Sequence, residues 1–277
     1  MVRKPVVAGV FYPIGEEMLM KTIEDSFLGP LGPGRLPERS KSILPRPIGA
    51  IVPHAGYVYS GQVAAWTYEK LASIGKPKTV IIMGPNHTGY GPPVSVFPDG
   101  KWITPLGEVE VDSDAAQLIL ENSDVAQADT SAHMMEHSIE VQLPFLQYIY
   151  KDGFKIVPIT MMDQSPKAAD DLSRAINRYI TIHPPTLVMA STDLNHYEDH
   201  KTTSEKDKLI IQAIEQMDPR LLYSSVYEAG VSMCGYGPVA VLLLLNLGKP
   251  KILKHATSGE VSGDYLEVVG YLSAIFE

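Results

Sequence analysis

The 277-residue sequence predicts an α/β fold, with helices flanking a largely parallel central sheet. Three observations lead there. Short apolar runs such as 79–83 and 186–191 have the length and β-branched content of strands buried on both faces. Stretches with helical spacing of apolar residues alternate with them, as parallel strands joined by helical crossovers require. Two of the runs also end in Gly/Pro-bearing turns that carry a histidine, 47–56 with His54 and 79–91 with His87. In open α/β sheets the crevice beyond the carboxyl ends of the strands is where ligands bind. Two imidazoles delivered to that edge by successive strands can converge on one metal ion.

Taken in order, apolar residues at helical spacing predict a first helix over 13–27. Residues 28–47 are dense in Gly and Pro and read as a surface loop inside a single domain, 1–277, because too little chain precedes them to form a core. Strand 48–52 leads to helix 61–73, and strand 79–83 leads through a long loop and a hairpin, 94–111, to helix 113–121. Residues 138–146 read as an amphipathic segment with one buried side. Strand 155–160 precedes a helix capped by Ser165 and opened by Pro166. Strand 186–191 precedes a helix opening at Ser204, with Asp207 three residues on, and Asp218-Pro219 opens another. The run 239–245 reads as a buried helix, and the strand-like tail, 265–276, closes the sheet.

Composition narrows the function classes. Hydrophobic residues make up 45% and charged residues 20%, ordinary for a soluble protein with a substantial core. The formal net charge is −9 with no long Lys/Arg cluster, which argues against nucleic acid as a partner. No apolar run approaches the ~20 residues of a membrane span, and the opening Met-Val-Arg-Lys-Pro does not resemble a secretory signal. With one cysteine there is no internal disulfide. A cytoplasmic protein with no membrane partner is the expectation.

The eight histidines are unequal. His183, His200 and His255 lie in polar or loop contexts and read as solvated or capping residues. His54 and His87 follow strand-like runs in turns that let the backbone approach a ligand closely. A third strand ends in Ser191-Thr-Asp193-Leu-Asn-His196, where Asp193 and His196 suit a general base with an orienting carboxylate, further metal ligands, or a simple Asx-type turn. Cys234 precedes the buried helix: it is either a small buried hydrophobe or, with its pKa lowered by the helix N-terminus, a thiolate ligand or nucleophile. His133-Met-Met-Glu136-His137 fits the H-x-x-E-H spacing of inverted zinc peptidases, which on a helix would set two imidazoles on one face with Glu136 as base.

Several separated motifs resemble the Memo-like family, also called AmmeMemoRadiSam system protein B, over essentially the whole chain. They are residues 8–13 (Ala-Gly-Val-Phe-Tyr-Pro), 53–61 around His54, 84–87 (Gly-Pro-Asn-His), Glu136-His137-Ser-Ile-Glu140 with Leu143-Pro144, Ser191 to Tyr197, and 234–238 (Cys-Gly-Tyr-Gly-Pro). The resemblance implies a fold like that of the class III extradiol dioxygenases, which hold ferrous iron with two histidines and a carboxylate. It implies that His54, His87 and Cys234 are the metal ligands and that His196 stands where the dioxygenases keep their acid–base residue. A thiol in place of the carboxylate softens the site, so iron or copper is implied, with zinc also suited. The implied activity is redox chemistry on an unidentified small molecule or peptide. The resemblance further implies a functional link to a radical-SAM protein and an AMMECR-type protein and, for animal members, phosphotyrosine-peptide binding. The family pattern keeps Glu136 and His137 but not His133, which undercuts the peptidase reading. A non-enzymatic alternative is a module that holds a peptide or partner protein in the old cleft through Tyr57, Tyr59, Tyr90 and Tyr236. A metallohydrolase using His133, Glu136 and His137 is the third reading.

Overall fold

Successive side chains of residues 79–83 point to opposite sides of the sheet and bury into two different cores. Val80 and Ile82 join one, Ile81 and Met83 the other, and all four are fully buried. That two-residue period with both faces apolar is what a central strand covered by helices on each side demands.

The computed structural model describes residues 1–277. The chain opens with β1 (Val2–Arg3), α1 (Glu16–Leu28), β2 (Ile48–Val52), α2 (Tyr57–Ile74) and β3 (Thr79–Pro85). There follow β4 (Val94–Val96), β5 (Lys101–Thr104), β6 (Gly107–Glu110), α3 (Ser113–Glu121), β7 (Ala126–Ala128) and α4 (Leu143–Tyr150). The second half holds β8 (Lys155–Met161), α5 (Pro166–Ile182), β9 (Thr186–Ser191), β10 (His196–Glu198), α6 (His200–Glu215), α7 (Pro219–Tyr227), α8 (Tyr236–Leu245), β11 (Pro250–Thr257), α9 (Gly259–Ser262) and β12 (Val268–Phe276).

The main sheet has nine strands in the order β10-β12-β2-β9-β3-β8-β4-β7, with β11 also paired to β12. Its centre, β2-β9-β3-β8, is parallel throughout. Both flanks turn antiparallel, β12 against β2 and β4 against β8, so the sheet is mixed around a parallel core. Helices α1, α2 and α4 cover one face; α3, α5, α6, α7 and α8 cover the other.

Several elements differ from the sequence reading. Of the expected hairpin, only β5–β6 is one, and it forms a small separate sheet with β1; β4 joins the main sheet instead. The second helix starts at Tyr57, not Gly61. That glycine lies inside α2, where a Cβ would meet Ser26 Oγ at 2.6 Å, so it marks the close crossing of α1. The helix expected at Ser204 starts at His200, because Asp199 accepts from the amides of Lys201 (3.0 Å) and Thr202 (3.1 Å). Asp207 is instead buried, accepting from the Asn195 amide and facing His255 Nε2 at 2.8 Å. Strand β11, unmarked in the sequence reading, pairs along the length of β12. Residues 143–150 are buried all round, not on one side. The loop 29–47 is fastened by Leu44, which is buried, and by Arg39, which donates to the Tyr148 carbonyl. No helix is long and apolar enough to cross a membrane.

Candidate metal centre

Three neighbouring parallel strands end at one edge and each supplies part of the site. The turn after β2 carries His54, the turn after β9 carries Asp193, and the turn after β3 carries His87. Strands β2 and β3 are consecutive parallel strands in sequence but not neighbours; β9 lies between them, which sets Asp193 beside His54 and lets its Oδ1 accept from the His54 amide at 2.8 Å. A fourth segment, the loop leading to α4, brings Glu136 and His137 over the same edge. Donor atoms of His54, His87 and His137 all lie within 4.8 Å of one another, so the three rings can hold a metal ion. Ring centroids are 5.3 Å (His54–His87), 5.5 Å (His54–His137) and 4.6 Å (His87–His137) apart. They line a cleft of about 590 Å³ with Asp193, His196 and Cys234, walled by Phe11 and Tyr197.

Two of the imidazoles are held from behind in a defined tautomer. Ser191 Oγ donates to the Ser138 carbonyl (2.6 Å) and accepts from Gln142 Nε2 (2.8 Å). Its remaining lone pair faces His54 Nδ1 at 3.0 Å, so Nδ1 carries the proton and Nε2 turns its lone pair to the cleft. Burial, with His137 and His87 adding their charge, holds the His54 pKa well below its ordinary value, so this ring is neutral. Glu136 Oε1 faces His87 Nδ1 at 2.9 Å while Oε2 accepts from the His87 amide at 2.6 Å, fixing that ring likewise. Burial alone would raise the Glu136 pKa, but the hydrogen bond and charge of His87 outweigh it and hold the carboxyl down at about 2. On His87 burial works downward, and Glu136 overrides it to a net rise. Two ring nitrogens fixed toward one point by a hydroxyl and a carboxylate behind them are the second layer that metal-ligating histidines need.

This placement of histidines coincides with a family match. The Memo-like protein model matches residues 3–275. The chain belongs to the Memo-like family. A MEMO1 family protein of Thermotoga neapolitana is 55% identical over 276 residues, covering 99% of each chain. One of Thermotoga maritima is 54% identical with the same coverage, and one of Ignicoccus hospitalis 49% over 281 residues, 100% of this chain and 99% of that one. The crystal structure of an uncharacterized Escherichia coli K12 protein shares the fold, with a TM-score of 0.58 at 12% identity, covering 83% of this chain and 99% of that chain.

In this Memo-like protein Cys234 stands to one side of the three histidines. Its Sγ lies 3.3 Å from His54 Nε2 and accepts from the Asp193 amide at 3.2 Å. The expectation that a helix N-terminus lowers its pKa is not met: burial and the Asp193 carboxylate push the thiol up. Asp193 is itself pushed up, by burial. His196 Nδ1 donates to the Ser232 carbonyl at 2.8 Å, which leaves Nε2 free at the cleft wall.

The H-x-x-E-H reading fails on geometry. Residues 131–133 form one 3₁₀ turn and 134–139 are irregular, so no helix sets His133 and His137 on one face. His133 is fully buried away from the cleft, between Phe97 and Trp102, with Nε2 3.0 Å from Ser95 Oγ. The aromatic set also disperses. Tyr57 is buried and donates to the Val141 carbonyl; Tyr236 packs with Tyr223 and Tyr227; neither these nor Tyr59 and Tyr90 line the cleft. Ser191, Gln142, Phe11 and Tyr197 were missed as site residues, since only the fold brings them there. His255 and His200, read from the sequence as solvated or capping residues, face Asp207 and Thr257 Oγ1. A larger cavity, about 990 Å³, opens at the opposite end of the sheet, where Lys155 pairs with Glu110, but it holds no comparable donor cluster.

Proposed function

We propose that this Memo-like protein binds one iron or copper ion at His54, His87 and His137, with Cys234 as a further donor beside His54, and works as a metal-dependent oxidoreductase on a small molecule. The observation that carries this is the convergence of three imidazole nitrogens within 4.8 Å, two of them with their lone pairs fixed toward the cleft. The 3.3 Å between Cys234 Sγ and His54 Nε2 also suits two donors sharing an ion, given bonds of about 2.0–2.1 Å to nitrogen and about 2.3 Å to sulfur. A set of imidazoles with one soft thiol favours iron, copper or zinc over the hard cations.

Bound iron or copper would supply Lewis acidity and electron transfer. The chain's own residues supply the rest. His196, anchored through Nδ1, presents Nε2 to a cleft-bound molecule and can take or return a proton. Asp193 orients the His54 turn through the backbone amide. Phe11 and Tyr197 line the cleft and offer ring surface to a bound molecule. A binding role without chemistry loses the tyrosines that motivated it.

The test is elemental analysis of metal-free protein reloaded with ferrous iron or cuprous copper and desalted. Near-stoichiometric metal is expected in the wild type, falling sharply in His54→Ala and His137→Ala and in part in Cys234→Ser. Wild-type protein that retains no metal overturns the reading.

A further inference from the structure

Behind the loop that carries Glu136 and His137 lies a fully buried arginine from the far N-terminal end of the chain. Arg3 Nε donates to the His133 carbonyl at 2.9 Å, Nη2 to the Glu136 carbonyl at 2.6 Å, and Nη1 to Glu140 Oε2 at 2.6 Å. Its guanidinium carbon lies 4.1 Å from the centroid of the Trp102 ring. One planar group thus grips three points of an eight-residue loop. Glu140 in turn accepts from the amides of Val6 and Val7 and from Tyr12 Oη at 2.6 Å, all on the same N-terminal arm. The arm then reaches the site from its outer side: the Phe11 carbonyl accepts from the Tyr57 amide, next to the His54 turn, and the Phe11 ring packs on His137 at 4.7 Å.

We infer that Arg3 is a positioning residue for the metal centre, setting His137 and the Glu136–His87 pair through the loop 133–140. The inference rests on the metal reading above and adds to it the part of the chain that seats the ligands. A guanidinium is suited to this because its donors are fixed in one plane and stay charged; a lysine offers a single ammonium that cannot reach three acceptors in that geometry. The Arg3–Glu140 pair is fully desolvated, so it is costly to break from either side. Apart from the adjacent Lys4 carbonyl, which Nη1 also reaches at 3.3 Å, its acceptors are two loop carbonyls and one loop carboxylate, so what it specifies is the course of that loop. Outer partners of metal ligands are worth tenfold to a hundredfold in metal affinity when removed.

The experiment titrates chelator-treated, full-length protein with Co²⁺, following the ligand-field spectrum, in wild type, Arg3→Lys and Tyr12→Phe. Arg3→Lys is expected to weaken Co²⁺ binding tenfold to a hundredfold and to alter the spectrum. Tyr12→Phe, which deletes only the phenol hydroxyl on Glu140 and keeps the ring, is expected to weaken it in the same direction by less. Leu172→Ala, a core truncation on α5 on the other face of the sheet, controls for general loss of stability and is expected to leave Co²⁺ affinity unchanged. Wild-type affinity and spectrum in Arg3→Lys, or, if that variant does not fold, in Tyr12→Phe, overturn the inference. So does an equal loss in Leu172→Ala. A wild type that binds no Co²⁺ overturns the metal reading instead, so the two failures are told apart.

Discussion

Ser191→Ala isolates the polar lock behind His54. Ser191 is fully buried, and its hydroxyl makes three hydrogen bonds, to His54 Nδ1, Gln142 Nε2 and the Ser138 carbonyl, at 3.0, 2.8 and 2.6 Å. Alanine removes one oxygen and little volume, so packing changes little and the loss is polar. Each intramolecular hydrogen bond contributes about 1 kcal/mol net, giving a cost of about 3 kcal/mol at this fully buried position. Unfolding in urea with chelator present should show that cost, and melting should fall by roughly 6–12 °C. The ring then loses the acceptor that fixes its Nδ1 proton, so its cleft-facing Nε2 lone pair is no longer enforced. Co²⁺ affinity should drop tenfold to a hundredfold. A stability cost under about 0.5 kcal/mol would refute the hydrogen-bond assignment. A full stability cost with unchanged Co²⁺ affinity would refute the claim that the serine sets the tautomer.

His133 and Cys234 give two further tests. Burial, with the Arg3 charge adding, holds the His133 imidazole down to about 3 against about 6.5 when unfolded, so between those pH values the unfolded chain binds the extra proton. Stability attributable to this residue is therefore complete above pH 6.5 and falls by up to about 1.4 kcal/mol per unit on acidification; urea unfolding of His133→Leu at pH 6.5, 5 and 4 should lose less than wild type, and parallel losses would count against the assignment. Cys234→Ser should keep Co²⁺ at the three histidines with lower affinity and abolish thiolate-to-cobalt charge-transfer absorption; a near-ultraviolet band that persists excludes the sulfur as a donor.

How much of this was legible in the sequence differs from residue to residue. The buried parallel strands were plain because apolar runs with β-branched residues and flanking Gly or Pro leave few alternatives, and Ser165-Pro166 and Asp218-Pro219 opened helices as written. The start of α6 was misplaced because Asp199 and Ser204 are both competent caps, and only the structure shows which is used. Strand β11 escaped because its burial is partial along most of its length, which weakens the two-residue period. In the site, His54 and His87 were visible as strand-end residues. His137 was visible only inside a false helical motif: the loop that carries it has no periodicity, and its course is set by Arg3, 133 residues from Glu136 in sequence. No local pattern encodes a contact at that separation. The same holds for Ser191, which reads as the last residue of a strand and acts as the anchor of an imidazole 137 residues away.

The site is therefore better described by what lies behind its histidines than by the histidines themselves. His54 is seated by Ser191 on β9, His87 by Glu136, and the Glu136 loop by Arg3. The two outer anchors meet on that one loop: Ser191 donates to the Ser138 carbonyl while Arg3 holds the Glu136 carbonyl and Glu140. Gly84 at the end of β3 lets the loop lie this close, since a Cβ there would run into Ser138 Oγ. The loop is thus clamped from the sheet on one side and from the N-terminal arm on the other. Its conformation is over-determined, which is what keeps three rings, two of them more than three-quarters buried on their side chains, gathered at one point. A short local motif such as H-x-x-E-H needs a helix to do that work; here long-range contacts do it instead.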